Sequence, residues 1–327
     1  MDMNPTPLRV STMTVTGNLG ATPDLKQLYE AGAFIPYWWI GEGIIKIEFG
    51  SLKKGICSED ILHTSTKTKK QFFNQSSLVF RLRLPSGAFK ETNIKLFKNG
   101  GFQMTGISSE EMARAALLQL IAMNTGRGVW TSVGIEGTTV GIAGTTVGTA
   151  GADATIKTFN VCMMNSDYSI GKAIRRDRLY KILVEKYGLW SMFEPTVYQG
   201  VNTKFFWNKE RPLTAPPGIC VCPTPCEGDG SGYGVGNCKK ITISPFRTGS
   251  IIITGAQKTE QLNDAYNFMN GVLREHAADV LRDDTLMPTV QPKRKSVAAP
   301  TTAEGILRHK MRASPRNCVR LVCDPCG

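Results

Sequence analysis

The sequence predicts an α+β fold built by internal duplication: strand, short helix, four strands and long helix, twice over. Three observations predict it. A ten-residue phrase occurs twice, as FKNGGFQMTG from Phe97 and as FRTGSIIITG from Phe246, both fitting F-x-x-G-x-x-x-x-T-G. An amphipathic helical pattern follows each copy, and a comparable run of alternating strands precedes each. Recurrence at long spacing marks one supersecondary unit used more than once. Two long and two short helices can cover one face of a single antiparallel sheet, which leaves the other face free to bind.

In chain order, RVSTMTVT from Arg9 to Thr16 is rich in Val and Thr and reads as a strand. GNLGATP turns, Pro23 suits helix entry, and a short helix is expected over Asp24 to Ala31. GIIKIEF (Gly43 to Phe49) alternates as a strand. Residues 51–77 are polar, Lys-rich and aperiodic, and read as an insertion. LVFRLRL (Leu78 to Leu84) is a strand, and Asn93–Phe97 with Phe102–Thr105 flank the turn at Asn99-Gly100-Gly101. Ser108-x-x-Glu111 has the form of a capping box, and its helix is expected to turn Met112, Ala115, Ala116, Leu120 and Met123 to one side.

Residues 126–154, with GTTVGIAGTTVGTAG, are too simple in composition to pack a core and read as a linker. The order then repeats. Thr155 to Met164 is a strand, Ile174 to Tyr187 a helix, and Tyr198 to Phe206 a strand. A Pro/Gly/Cys-rich insertion follows at about 212–238. Lys240–Phe246 and Ser250–Thr254 form the second hairpin, and Leu262, Ala265, Tyr266, Met269, Val272 and Leu273 stripe the closing helix. The expected domains are a first repeat over 1–125, the linker, a second repeat over 155–287, and a basic tail over 288–327 with a disordered composition.

Composition is globular, with 41% apolar and 20% charged residues in 327, and Lys plus Arg outnumber Asp plus Glu by 39 to 27. The net charge of +12 points to a polyanion partner. Half of that excess lies in the tail, where eight basic residues face two acids. No apolar run reaches the roughly 20 residues of a membrane span, and the opening MDMNPTPLR lacks the apolar core of a signal peptide. The nine cysteines are expected to be a reduced, intracellular set rather than a disulfide framework.

Certain phrases carry a resemblance. TVTGNLGATPDLKQLYEAG, FEPTVYQGVNTKF from Phe193 and PFRTGSIIITGAQK from Pro245 resemble the repeat motifs of the TATA-box-binding protein family, in its divergent, giant-virus-like form. The likeness covers most of 8–125 and 155–282. It implies a pseudo-symmetric saddle, a curved antiparallel sheet with helices on the convex face. It implies a general transcription initiation factor that binds double-stranded, A·T-rich promoter DNA in the minor groove and bends it with aromatic wedges. The cost of unstacking, a few kcal/mol per step, is known from this very family.

The resemblance carries Phe97 and Phe246 to wedge positions, with Trp39 and Tyr198 as their partners on the preceding strands. A Phe at a strand end can equally be a core residue; the paired placement favours the wedge. Thr105, Thr254 and Ile252 match groove-floor positions. The family's central Asn pair falls on Thr12 and Thr158, and Thr offers one donor where Asn offers two, so kinking is expected to survive better than sequence preference. Lys46, Lys95, Lys98, Lys204 and Arg247 fall near phosphate contacts, which position a protein without reading sequence. A transcription-factor-IIB-like protein and RNA polymerase are the implied partners, in the host nucleus or a cytoplasmic viral factory.

Cys220, Cys222, Cys226 and Cys238 form C-x-C-x3-C-x11-C, a set of thiolates that could hold a structural zinc; no other cofactor is expected. Cys318, Cys323 and Cys326 number only three, and Cys162 reads as a buried strand residue. Lys293-Arg294-Lys295 suits an import signal, a DNA-binding arm or a solvated linker. His63, His276 and His309 are scattered, and no nucleophile–base pair, paired-acid motif or phosphate loop is present, so no enzyme is expected. The alternative reading is a saddle kept as a protein-interaction or structural module that has lost sequence-specific DNA binding.

Overall fold

The computed structural model describes residues 3–62, 73–131 and 155–282. Most of the linker, part of the first insertion, His63, His309, Lys293-Arg294-Lys295 and the rest of the tail with Cys318, Cys323 and Cys326 lie outside the described residues.

The first half opens with β1 (Arg9–Asn18), β2 (Thr22–Pro23) and α1 (Leu25–Ala31). Asp24 caps α1, its carboxylate accepting from the Gln27 amide at 2.9 Å. Then come β3 (Gly43–Phe49), β4 (Leu52–Gly55), α2 (Ser58–Leu62), β5 (Gln75–Arg83), β6 (Phe89–Phe97), β7 (Gly101–Ile107), α3 (Glu110–Asn124) and β8 (Trp130–Thr131). The second half comprises β9 (Thr158–Ser169), β10 (Ala173–Ile174), α4 (Arg176–Glu185), β11 (Ser191–Met192), β12 (Asn202–Trp207), β13 (Lys239–Pro245), β14 (Ser250–Ala256), α5 (Thr259–Glu275), α6 (Ala277–Val280) and β15 (Leu281–Arg282). The fold is α+β, with open antiparallel strand order β7-β6-β5-β3-β4 in one half and β11-β12-β13-β14-β9 in the other.

Burial alternates along the strands. Ile94, Leu96, Phe102 and Met104 are buried on one face of the first hairpin, and Ile241, Ile243, Ile251 and Ile253 on one face of the second. The helices supply the other layer of each core. Phe205 of β12 meets Phe268 of α5 at 5.1 Å between ring centroids, and the Trp207 indole donates to Asp264 of α5 at 2.7 Å. Each buried Ile or Leu stabilises by about 1.5–3 kcal/mol.

The chain forms two compact units that do not follow the repeats. One is built chiefly from residues 16–106 with α3, the other from residues 160–282. Met1–Val15 and Ile107–Glu110 count with the second unit. The reason lies in hydrogen bonds: Thr6 and Ser169 exchange two, through the Thr6 amide at 2.8 Å and the Thr6 hydroxyl at 3.0 Å, and Arg9 pairs with Asp167 at 2.7 Å.

Several expectations are corrected. Residues 51–77 are not all structureless, since they hold β4, α2 and the start of β5. Helix α3 starts at Glu110 and buries Ala113, Ala116, Leu117, Leu120, Ile121 and Asn124, while Ala115 is exposed. The stripe is thus turned from the one expected, because Leu117 and Ile121 outcompete Met112 and Met123 for the core. The linker's first residues are tied down by β8, which pairs with β2. Helix α4 starts two residues late, and β12 starts at Asn202, not Tyr198. Cys162 is half-buried, and His276 is buried at the end of α5, its ring nitrogen 3.3 Å from the Tyr187 hydroxyl.

Candidate nucleic-acid interface

Strand register makes the two halves comparable residue by residue. In the first unit Gln75 pairs with Phe97, and Asn93 with Thr105. In the second, Thr203 pairs with Ile243 and Thr242 with Thr254. The Val201 amide donates to the Pro245 carbonyl at 3.0 Å, which continues that ladder and sets Gly200 opposite Phe246. Superposing the hairpin phrases therefore equates Gln75 with Gly200. Two residues earlier it equates Phe73 with Tyr198.

Side chains alternate across a strand, so the residues facing away from the helices follow. In the second unit they are Lys204, Thr242, Ser244, Ile252 and Thr254, and in the first Asn93, Lys95, Phe97, Gln103 and Thr105. Thr105 and Thr254 hold equivalent places and are each followed by a Gly with positive φ, Gly106 at 81° and Gly255 at 95°. After Thr254 the ladder to β9 shifts register. At Thr254-Gly255 the T-G of the phrase is thus bulge chemistry, and at both copies the positive φ calls for the one residue without a Cβ penalty there. Thr12 is half-buried opposite the buried Met13 and Val15. Thr158 is exposed, and its neighbour Phe159 turns toward Arg114 of α3, with the guanidinium 4.1 Å from the ring centroid, so Thr158 projects to the other side.

The aromatic residues end this face. Tyr198 and Phe246 meet edge-on, with ring centroids 5.7 Å apart and planes at 68°. Gly200 lies beneath them, and a Cβ there would stand 2.9 Å from the Tyr198 ring and 3.1 Å from that of Phe246. Tyr198 is not on the strand; a turn closed by its amide on the Glu194 carbonyl, at 2.8 Å, delivers it. Phe97 is half-buried, and Phe73 is 60% exposed. Trp39 does not take the partner position expected of it. It is 61% exposed on the loop before β3, its carbonyl accepting from Arg81 at 2.8 Å. The strand that pairs with β6 is β5, not β3, so the equivalent residue precedes β5 and is Phe73. The signal for it was available: an exposed aromatic set five residues before the apolar LVF.

The cations divide. Lys95, Lys98 and Arg247 are exposed beside the hairpins. Lys204 donates to the Thr242 hydroxyl at 2.8 Å, and burial followed by the charge of Lys240 lowers its pKa. Lys46, expected at phosphate, is buried and bonded to Asp60 at 2.8 Å with Glu48 at 3.4 Å. Burial alone would lower its pKa; the Asp60 hydrogen bond, with the charges of Cys57, Asp60 and Glu48, raises it instead. Asp60 also resists burial, and its bonds to Lys46 and Cys57 hold its carboxyl well below the usual range. By register the counterpart of Lys204 is Val79, not Lys46. Val79 joins Tyr37, Ile45 and Cys57 in a small cluster under α2.

The insertion thus covers the far end of this face in the first unit. In the second unit the Cys-rich loop packs at the matching end, where Gly228 sits against Lys240 and the Phe206 ring. Within that loop the sulfurs of Cys220, Cys222, Cys226 and Cys238 all lie within 4.8 Å of one another.

Comparison with known proteins adds a relative. A "TATA-box-binding protein-like" protein of Acanthamoeba polyphaga mimivirus is 27% identical over 281 residues, which span 82% of this chain. The resemblance to the TATA-box-binding protein family holds. The chain spans 65% of that relative's length. Among solved structures, Methanococcus jannaschii TBP is similar at 15% identity and a TM-score of 0.45, over 83% of this chain and 99% of that one. No family model matches. Among the described residues no helix is long and apolar enough to cross a membrane.

Proposed function

We propose that this chain is a DNA-binding factor of transcription initiation, not an enzyme, which grips a minor groove and opens base steps with aromatic wedges. The observation that carries the reading is that two aromatic residues recur at equivalent register positions, at the hairpin end of the sheet face turned away from the long helices. In this reading Phe246 with Tyr198 and Phe97 with Phe73 are the wedges. Rings held at a strand end replace a stacking partner when a step opens. Thr12, Thr105, Thr158, Thr254 and Ile252 line the groove floor, where acceptors are few and alike. Lys95, Lys98, Lys204 and Arg247 meet phosphates. Thr in place of Asn at the centre weakens A·T preference more than bending.

The name of the mimivirus relative supports the same reading. The helices, on the far side from the DNA, would meet a transcription-factor-IIB-like protein and RNA polymerase, in the host nucleus or a viral factory. One observation favours the alternative of a protein-interaction module: Trp38, Trp39 and Ile40 form a run of exposed apolar side chains.

A gel shift and a fluorescence bending assay on A·T-rich duplex test the proposal. Wild type is expected to bind and bend, and Phe97→Ala with Phe246→Ala to bind weakly without bending. No binding at low salt, where phosphate contacts are strongest, would overturn it in favour of the interaction module.

A further inference from the structure

We infer that Cys220, Cys222, Cys226 and Cys238 bind one structural zinc ion, which stands in for the core that the β12–β13 connection lacks. The loop runs from Asn208 to Cys238. Among its residues only Gly218, Gly228, Gly232 and Cys238 are buried, and three of these have no side chain. Of its larger apolar groups, Leu213 and Val235 are 99% and 73% exposed, and only Ile219 and Tyr233 turn partly inward, Tyr233 edge-on to Trp207 at 5.6 Å. A long connection with no fully buried side chain but that of Cys238 is poorly held by burial alone, yet four thiols from across it converge.

Their spacing is close to that of a coordination tetrahedron. Cys220 and Cys226 sulfurs lie 3.4 Å apart, Cys222 and Cys238 3.5 Å, and Cys238 and Cys220 3.7 Å. Zinc–sulfur bonds of about 2.3 Å require sulfur–sulfur edges of about 3.8 Å. A second layer of donors faces the sulfurs. The Gly236 amide points at Cys222 Sγ at 3.2 Å, and Asn208 Nδ2 at Cys238 Sγ at 3.6 Å. Such N–H groups orient thiolates and offset their charge at a metal. Four protein ligands leave no open position, so the ion is structural, and each thiol gives up its proton on binding.

The ion would also fix neighbouring groups. Lys240 donates to the Glu227 carbonyl at 2.7 Å, one residue from Cys226, and buried Gln261 of α5 donates to the Ser231 carbonyl at 2.9 Å. The loop is thus tied to β13 and to the start of α5.

The test is elemental analysis of the full-length protein purified without chelator. One zinc per chain is expected. Cys222→Ser with Cys238→Ser should abolish it, whereas the triple change Cys318→Ser, Cys323→Ser and Cys326→Ser should leave it. Should the first variant fail to fold, cobalt exchanged into the wild type gives an independent reading, the absorption of a tetrahedral four-thiolate site. A folded wild type without metal, an iron centre, two disulfides among the four cysteines, or zinc retained by the double variant would each overturn the assignment. None of these outcomes depends on whether the protein binds DNA.

Discussion

At the scale of single residues, the aromatic pairs make the sharpest test, because register and motif alignment disagree about one of them. Phe73→Ala is expected to lower DNA affinity and bending, at about 1–3 kcal/mol for a stacked base. Trp39→Ala is expected to leave both unchanged, and one fluorescence bending titration compares the two. Gly200→Ala tests the slot beneath Tyr198 and Phe246. Its methyl would displace both rings, so bending should fall while the thermal midpoint stays close to that of wild type. The hairpin positions of Phe97 and Phe246 were legible in the sequence because each sits inside a short local phrase. Phe73 was not, because its place depends on which strand pairs with β6, a long-range choice obscured by the residues between α1 and β5. Thr105-Gly106 and Thr254-Gly255 were legible as a motif, but the bulge at Thr254-Gly255 shows only in the ladder.

At the scale of elements, the corrected face of α3 and the first insertion carry their own consequences. Leu117 is fully buried, so Leu117→Ala should cost about 2–5 kcal/mol. Half-buried Met123→Ala should cost under about 1 kcal/mol; denaturant unfolding of both variants checks the difference. The 3.6-residue period was readable, but adjacent stripes of similar apolarity compete, and tertiary packing chose between them. In the insertion, Asp60→Asn removes the nearer carboxylate of the buried Lys46 ammonium and leaves only Glu48 at 3.4 Å, so a loss of about 1–3 kcal/mol is expected. Because Asp60 titrates below its unfolded value, its contribution is complete above about pH 4 and drains away as the pH falls further. The variant should therefore lose part of the wild type's acid-limb slope, measured as stability against pH. Lys46 was misread for a plain reason: an alternating strand shows which face a Lys is on, not whether a later helix covers it.

At the scale of the whole molecule, the proposed DNA binding, on a chain of charge +12, is expected to weaken as salt rises. Changing Lys95, Lys98 and Arg247 together to Ala should flatten the slope of log affinity against log salt by about 2–3, since each phosphate contact contributes roughly 0.9. If these side chains only face solvent, the slope will not move. The duplicated architecture was legible because each half repeats both its hairpin and its helix. The division into units was not, because nothing local in RVSTMTV says which half it will join.

That division bears on the order in which the protein can be completed. Thr6 to Val15 leaves the ribosome about 150 residues before its hydrogen-bonding partners Ser169, Asp167 and Asn165, and further still before the Tyr266 hydroxyl that donates to the Thr6 carbonyl. Until then the strand lacks its β9 neighbour on one edge, and closure there waits on a long loop. A nascent chain stopped before residue 160 should leave residues 6–15 more open to protease than in the whole chain, and a chain cut within 132–154 should regain their protection only when both pieces are present together.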